Sequence, residues 1–349
     1  MLNKSIPTIV LGGSGYVAAE CLGLLLNHPY FRIESVVSTS QVGTRIDEVF
    51  PHLTGVAEDL TFTDLESAKP RLAGKRQVAL FSAMPHGETA RVLEELLAGG
   101  TSARVVDISA DFRTSDAAEY EQIYGKPHEG PTLLPQFHFG LPDLDKETPE
   151  AMISHPGCFT TGITLAIAPL VANQLIEPQV QVSAITGSTG AGRQLGAGTH
   201  HPHRQSSMWA YQPLVHRHTP EIRRLLQAHA PDLTVAFVPH SGPFARGIHA
   251  TCFATLRKPM STAAVTDLIS AFYAHTPFVK VAAGMPTLKE IVGSNRCHLG
   301  VAVSGNQVVI TSVIDNLVKG AAGGAVQWMN RLFSLDEKEG LVNAVPGWI

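Results

Sequence analysis

The sequence predicts an α/β fold in two parts. A doubly wound parallel sheet is expected over residues 1–150 and an α+β domain with a mostly antiparallel sheet over 151–315. Three observations carry this. The chain opens with a short apolar strand, a glycine turn, a helix and a second strand. Short apolar strands then alternate with helical segments to about residue 150. Beyond that point the strands lengthen and alternate apolar with polar positions, as in a sheet with one covered face.

Taken in order, "TIVLG" is a buried strand, "YVAAECLGLLLNH" has helical periodicity and "FRIESVVS" is the next strand. The turn between the first two reads Gly12-Gly13-Ser14-Gly15-Tyr16-Val17-Ala18. Gly12 and Gly15 let the backbone turn tightly and approach a pyrophosphate, which then sits at the helix N-terminus beside Ser14, Tyr16 and Val17. Ala18 is small enough for close helix-to-strand packing. This is a Rossmann-type βαβ unit. An acidic residue at the end of the second strand would bind a ribose 2′-OH. The segment "VVSTSQVGTR" offers Ser38, Thr39, Ser40 and Arg45 instead, which suit a 2′-phosphate and favour NADP over NAD.

Two further strands end in candidate ligand-binding loops. "QVALFSAMPHG" (77–87) runs into Ser82 and the Pro85-His86-Gly87 loop, and "ARVVDISADFR" (103–113) runs into Asp111 and Arg113. Ligands of open α/β sheets collect at these carboxyl edges. Past residue 150 come an apolar helix, "GITLAIAPLVANQLI", and the strands "QVQVSAITGSTGAG", "LTVAFVPHSG", "GIHATCFATLR" and "NQVVITSVID". "DNLVKGAAGGAVQWMNRLF" reads as a small-residue helix that packs back, so that 316–349 completes the first domain.

Composition narrows the function classes. A net charge of −4 on 349 residues leaves no electrostatic footprint for nucleic acid or an anionic membrane. No apolar run approaches the roughly 18 residues of a membrane span. The N-terminus enters a strand within about eight residues, without room for a signal sequence. Four cysteines lie far apart with no CxxC pair, which fits a reduced, cytoplasmic compartment. His200, His201 and His203 crowd together in "THHPHRQ", but Pro202 opposes a regular helix there. No carboxylate or cysteine completes a ligand set, so no metal is expected. The segment reads as a partly ordered active-site loop.

The segment "SHPGCFTT" places Cys158 at or near a helix N-terminus, where backbone N–H groups and the helix dipole favour a thiolate and can hold an oxyanion. Phe159 is expected to pack behind it, with Thr160 and Thr161 hydroxyls satisfying free backbone groups of the first turn. A buried structural thiol is the competing reading. A nucleophilic cysteine beside a nicotinamide site points to an acyl-thioester interconverted with an aldehyde by hydride transfer.

"SHPGCFTTGITLAIAPL" resembles the active-site stretch of the N-acetyl-gamma-glutamyl-phosphate reductase family, in the aspartate-semialdehyde dehydrogenase superfamily. "GGSGYVAAE", "DISADFR", "TGSTGAGR", "VHRHTPEI", "FARGI" and "DNLVKGAAGGAVQ" resemble the same family in the same order. The resemblance implies an NADPH-dependent enzyme of arginine biosynthesis. Its Cys158 would attack an acyl phosphate, release phosphate and hold the thioester that hydride reduces to N-acetylglutamate semialdehyde. His218 ranks first and His216 second for proton transfer. Arg113, Arg246 and Glu221 are substrate-binding candidates. Thr186 (where the family more often has serine), Gly187 and Gly190 are expected against cofactor or substrate. Asn316 either meets the nicotinamide carboxamide or caps the last helix. A homodimer or homotetramer is implied. Aspartate-semialdehyde dehydrogenase, the aminoadipyl-phosphate reductase of the lysine route, a cysteine hydrolase and a silent NADP-binding regulator are the rival readings.

Overall fold

The computed structural model describes residues 5–72, 77–98, 100, 103–150 and 152–342. They divide into two compact units. The first takes the chain up to Pro142, Glu147–His155 and Ala322–Val342, and the second takes Asp143–Lys146 and Pro156–Ala321. The chain thus rejoins the first unit at Ala322 rather than at residue 316. Residues 343–349 of the expected C-terminal segment lie outside the described residues.

In the first unit the elements run β1 (Ile6–Leu11), α1 (Tyr16–Leu26), β2 (Phe31–Val37), α2 (Ile46–Val49), β3 (Phe62–Thr63), α3 (Leu65–Leu72), β4 (Val78–Ser82) and α4 (Thr89–Leu97). They continue as β5 (Ala103–Asp107), α5 (Ala117–Tyr124), β6 (Phe137–Phe139) and β7 (Met152–Ser154). The seven strands form one parallel sheet in the order β3-β2-β1-β4-β5-β7-β6. Ile9, Val10, Leu11 and Val78 to Phe81 are fully buried. Such continuous apolar runs are what a parallel sheet covered on both faces requires. The chain goes outward from β1 to β3 and returns at β4, so the strand order reverses between β1 and β4. The loops after those two strands therefore flank the topological switch point.

The second unit comprises α6 (Cys158–Ala172), β8 (Ile176–Thr186), α7 (His201–Arg204), β9 (Trp209–Ala210), α8 (His218–Leu226), β10 (Thr234–Ser241) and β11 (Ile248–Leu256). It continues with α9 (Thr262–Phe272), β12 (Val279–Val281), β13 (Cys297–Ser304), β14 (Gln307–Ile314) and a π-helical turn, Val318–Ala322. Its sheet has the order β12-β13-β14-β11-β8-β10-β9 and is antiparallel except where β10 pairs with β8 and β12 with β13. Along β8, Val180, Val182, Ala184 and Thr186 are buried while Gln179, Gln181 and Ser183 are exposed, the period of two that a half-covered sheet imposes. α6 packs on that covered face, and every residue from Phe159 to Val171 is buried. A helix apolar on all sides is a core element rather than a surface one.

The last helix, α10 (Gly323–Leu332), belongs to the first unit and packs on β5 and α1. Trp328 is fully buried there and donates its indole N–H to the Gly140 carbonyl at 3.1 Å. Among the described residues no helix is long and apolar enough to cross a membrane.

Candidate functional site

The first unit shapes its glycine loop from two directions. Gly12 has φ +74°, and a Cβ there would lie 2.6 Å from the Met84 backbone, so this glycine serves the packing of the β1 loop on the β4 loop. Gly13, which the motif reading passed over, is just as constrained, since a Cβ would strike Val36. Gly15 differs. Among the described residues nothing lies within 4 Å of a Cβ built on it, and it caps α1, whose first turn holds no acidic residue. Open space before an uncompensated helix N-terminus fits a dinucleotide pyrophosphate. Ser14 and Val17 are half-buried beside it and Tyr16 is exposed. At the end of β2, Ser38 is buried and its Oγ has no hydrogen-bond partner among the described residues, while Ser40 is exposed. Arg45 is exposed too, but Asp47 holds it in a fork, Nε to Oδ1 at 2.9 Å and Nη2 to Oδ2 at 2.6 Å. A 2′-phosphate at Arg45 has that carboxylate as a competitor.

Two motifs of this unit prove to be interlocked. Asp111 is fully buried and accepts from the Gly87 amide at 2.5 Å and the Ala90 amide at 3.1 Å, capping α4 and fixing the Pro85-His86-Gly87 loop. His86 Nδ1 accepts from the Ala110 amide in return. Pro85 is exposed, and Ser82 is buried with its Oγ 3.1 Å from the Thr89 hydroxyl. Arg113 turns inward: it is buried and donates Nη2 to the Ile108 carbonyl at 2.6 Å. Beside it, burial and the Asp111 charge push the Asp107 carboxyl up to about 7, against the Ser109 hydrogen bonds and Arg113.

In the second unit Cys158 is the first residue of α6, with Gly157 as its N-cap. Of the four free cysteines it is the one that is not buried. Burial pushes Cys21, Cys252 and Cys297 up to about 12, which leaves them inert at neutral pH. Two glycines frame Cys158. A Cβ on Gly157 would overlap the His218 ring, and one on Gly320, in the π-helical turn, would lie 2.7 Å from the Cys158 Cβ. The fully buried ion pair Lys319–Asp143, at 2.5 Å, anchors that turn, with Lys319 over the Phe278 ring.

His218 is the first residue of α8 and Glu221 stands one turn on, both buried. Glu221 Oε2 accepts from the Gly157 amide at 2.9 Å and from the Thr160 hydroxyl at 2.6 Å. This corrects one expectation and bears on another. Thr160 donates to a carboxylate rather than to the backbone, although Thr161 does reach the Gly157 carbonyl at 3.1 Å. Glu221, expected against substrate, has this oxygen at the start of α6. His216 lies in a cage of Phe159, Tyr211, Phe237 and His218 rings, and its Nδ1 accepts from the His218 amide at 3.2 Å. Burial and the Arg217 charge push it down to about 4, Glu221 opposing. A histidine so held is neutral at physiological pH and orients its neighbour. Tyr211 also stands here, its phenol raised by burial and by Cys158.

The "TGSTGAGR" loop extends β8. Gly187 is glycine because the Ala245–Arg246 backbone occupies the place of a Cβ, and its amide donates to the Gly247 carbonyl at 2.9 Å. Thr186 is buried. Gly190 packs back on it, a Cβ there coming within 3.3 Å of the Thr186 Oγ1. Asn316 has neither helix-capping nor solvent-facing geometry: its Oδ1 accepts from the Gly247 amide at 2.7 Å and its Nδ2 donates to the Thr189 hydroxyl at 3.0 Å. It ties the loop to the "FARGI" turn. Arg246 gives its Nε to buried Asp315 at 3.0 Å, and Asp315 also accepts from the Gly293, Leu317 and Val318 amides.

The histidine segment contains one helical turn after all, α7, with Pro202 in its first turn, where a missing N–H costs nothing. Its anchor is Arg204, which sequence reasoning missed. This buried guanidinium donates to Ser241 Oγ at 2.8 Å and to the Gly242 and Phe244 carbonyls, and lies 5.7 Å from the Trp209 ring centroid. No local pattern marks it, because the Ser241, Gly242 and Phe244 partners lie some 40 residues away, as in the pair with Phe244.

Known proteins share this two-part fold. The semialdehyde dehydrogenase NAD-binding domain matches residues 8–151 and the semialdehyde dehydrogenase dimerisation domain matches 158–316. N-acetyl-gamma-glutamyl-phosphate reductase of Acidithiobacillus ferrooxidans is 40% identical over 340 residues, covering 95% of this chain and 97% of that protein. The reductase of the same name from Ectopseudomonas mendocina is 41% identical over 346 residues, covering 96% and 97%. Among solved structures, a probable aspartate-semialdehyde dehydrogenase from Pseudomonas aeruginosa superposes with a TM-score of 0.69 at 19% identity, covering 95% of this chain and 99% of that one. Aspartate semialdehyde dehydrogenase with NADP from Candida albicans gives 0.68 at 14%, with the same coverage. Identities that low speak for the fold alone. With a dinucleotide-type sheet, a dimerisation domain and full-length relatives at about two residues in five, the chain belongs to the N-acetyl-gamma-glutamyl-phosphate reductase family of oxidoreductases.

Proposed function

We propose that this protein catalyses the NADPH-dependent reductive dephosphorylation of N-acetyl-gamma-glutamyl phosphate to N-acetylglutamate semialdehyde, as its relatives' name describes, in arginine biosynthesis. The observation that carries the reading is Cys158. It is the accessible thiol of the four, at the first position of a buried helix, with the His218 ring against the preceding glycine. His218 takes the thiol proton as sulfur attacks the acyl carbonyl. The carbon–oxygen bond to phosphate breaks, the leaving phosphate takes that proton from His218, and a Cys158 thioester remains. When bound, the reduced dinucleotide supplies hydride to that carbonyl. The carbon–sulfur bond then breaks, the aldehyde leaves, and the sulfur is reprotonated through His218 by a proton from solvent. The first-turn amides of α6 are the donors suited to the oxyanion formed at each addition.

Gly12, Gly15 and the α1 N-terminus would hold the pyrophosphate, with Ser38, Ser40 and Arg45 toward a 2′-phosphate. That placement supports NADP over NAD. A thiol nucleophile needs a reducing compartment, which supports the cytoplasm, and the dimerisation domain supports a homodimer or a homotetramer built from it. The test runs the reaction backward: N-acetylglutamate semialdehyde, phosphate and NADP are mixed with the protein and the absorbance of reduced cofactor is followed. Turnover that requires phosphate is expected. Turnover with aspartate semialdehyde and none with the acetylated glutamate aldehyde would overturn the substrate assignment.

A further inference from the structure

We infer that Glu221 is a positioning residue, the carboxylate that joins the helix start bearing the acid/base His218 to the helix start bearing the nucleophile Cys158. The inference rests on the assignment of those two residues above. It removes Glu221 from the groups that contact substrate.

Three observations carry it. His218 and Glu221 lie at i and i+3 on α8, so they share one face, and that face meets α6. One Glu221 oxygen takes the Gly157 amide at 2.9 Å and the Thr160 hydroxyl at 2.6 Å, donors on either side of Cys158. Gly157, lacking a Cβ, leaves the space that the His218 ring fills. A carboxylate buried this deeply must have such donors, and the positive end of α6 is where they are concentrated. The two helices are therefore pinned at one point, with one reacting group on each side of the pin.

The charge has a second consequence. A helix N-terminus by itself favours a thiolate at its first residue. Glu221 takes one amide at that helix start, Gly157, and its charge opposes the field there. In this arrangement proton removal from the thiol falls to His218 during attack.

The experiment compares wild type, Glu221→Gln and Glu221→Ala as full-length proteins. It reads the pH dependence of Cys158 alkylation by iodoacetamide, the steady-state constants of the backward reaction, and the thermal midpoint. Glutamine keeps an oxygen acceptor for Gly157 and Thr160 but loses the charge. Its expected alkylation profile moves to lower pH by about one unit, the effect of one nearby charge. Its KM for the semialdehyde stays within about twofold while kcat falls about tenfold, as a charged hydrogen bond becomes a neutral one. Alanine, which removes the pin, is expected to lose about a hundredfold in kcat. An unmoved alkylation profile in Glu221→Gln, with KM raised about tenfold or more, overturns the inference and returns Glu221 to substrate binding. If Glu221→Ala does not fold, the glutamine profile decides alone. Alkylation needs no substrate, so a wild type inactive with the semialdehyde would refute the proposed function while the alkylation profiles still decide the role of Glu221.

Discussion

His216 and His218 stand two residues apart in the same motif, and acid stability separates them. Burial holds the His216 imidazole neutral, its pKa pushed down to about 4, and its Nδ1 must stay unprotonated to accept the His218 amide. In the unfolded chain an imidazole titrates near about 6.5. Between those two values the unfolded state binds a proton that the folded state refuses. The stabilisation is therefore intact above the unfolded value and is lost as pH falls toward the folded one. Roughly two and a half units separate the two, which gives a loss of about 2 kcal/mol on going from about pH 7 to about pH 4.5. His216→Asn places an amide oxygen where Nδ1 stands and has nothing to titrate. Urea unfolding followed by far-UV circular dichroism, with both proteins at both pH values, isolates the effect, because every other titrating group cancels in the difference. Wild type should lose about 2 kcal/mol more than the variant on acidification. An equal loss in the two proteins would refute the claim that His216 is buried neutral. It would also reopen the choice of acid/base, since His216→Asn is expected to keep most of kcat while His218→Asn loses about a hundredfold or more.

Three further outcomes follow from the same geometry. Cys158→Ser should lose turnover by at least about a thousandfold while NADP still binds with near wild-type affinity by isothermal titration calorimetry, since the nucleophile and the glycine loop lie in different units. Arg45→Ala should raise KM for NADPH about tenfold with NADH unchanged, the effect of one lost charge-assisted contact, measured by initial rates. Gly320→Ala should displace Cys158, because the new methyl group would lie 2.7 Å from its Cβ. The expected result is slower iodoacetamide alkylation and a lower kcat with cofactor affinity unchanged.

Much of this was legible because the determining physics is local. A glycine turn between an apolar strand and a helix, and a cysteine after Pro-Gly at a helix start, are each written within a dozen residues. So are the strand periods that separate a doubly covered parallel sheet from a half-covered antiparallel one. What escaped was long-range. The partners that Arg113, Arg246 and Asn316 find within the protein, at Ile108, Asp315 and the pair Gly247 and Thr189, are not written in their motifs. Nothing beside Arg204 announces Gly242 or Phe244 as its partners. The helix expected from residue 316 begins as a π-helical turn because Gly320 must meet Cys158 and Lys319 must reach Asp143, contacts across more than 150 residues.

The sequence by itself determined the local settings: a thiol at a helix start, a histidine-bearing helix start and a glycine loop between strand and helix, since residue type and backbone propensity are properties of short segments. Only the tertiary structure decided which polar side chains are held by the protein and which reacting groups are brought together. A buried carboxylate or guanidinium must find partners wherever the chain has folded them, and Glu221 finds its own at Gly157 and Thr160, on either side of Cys158.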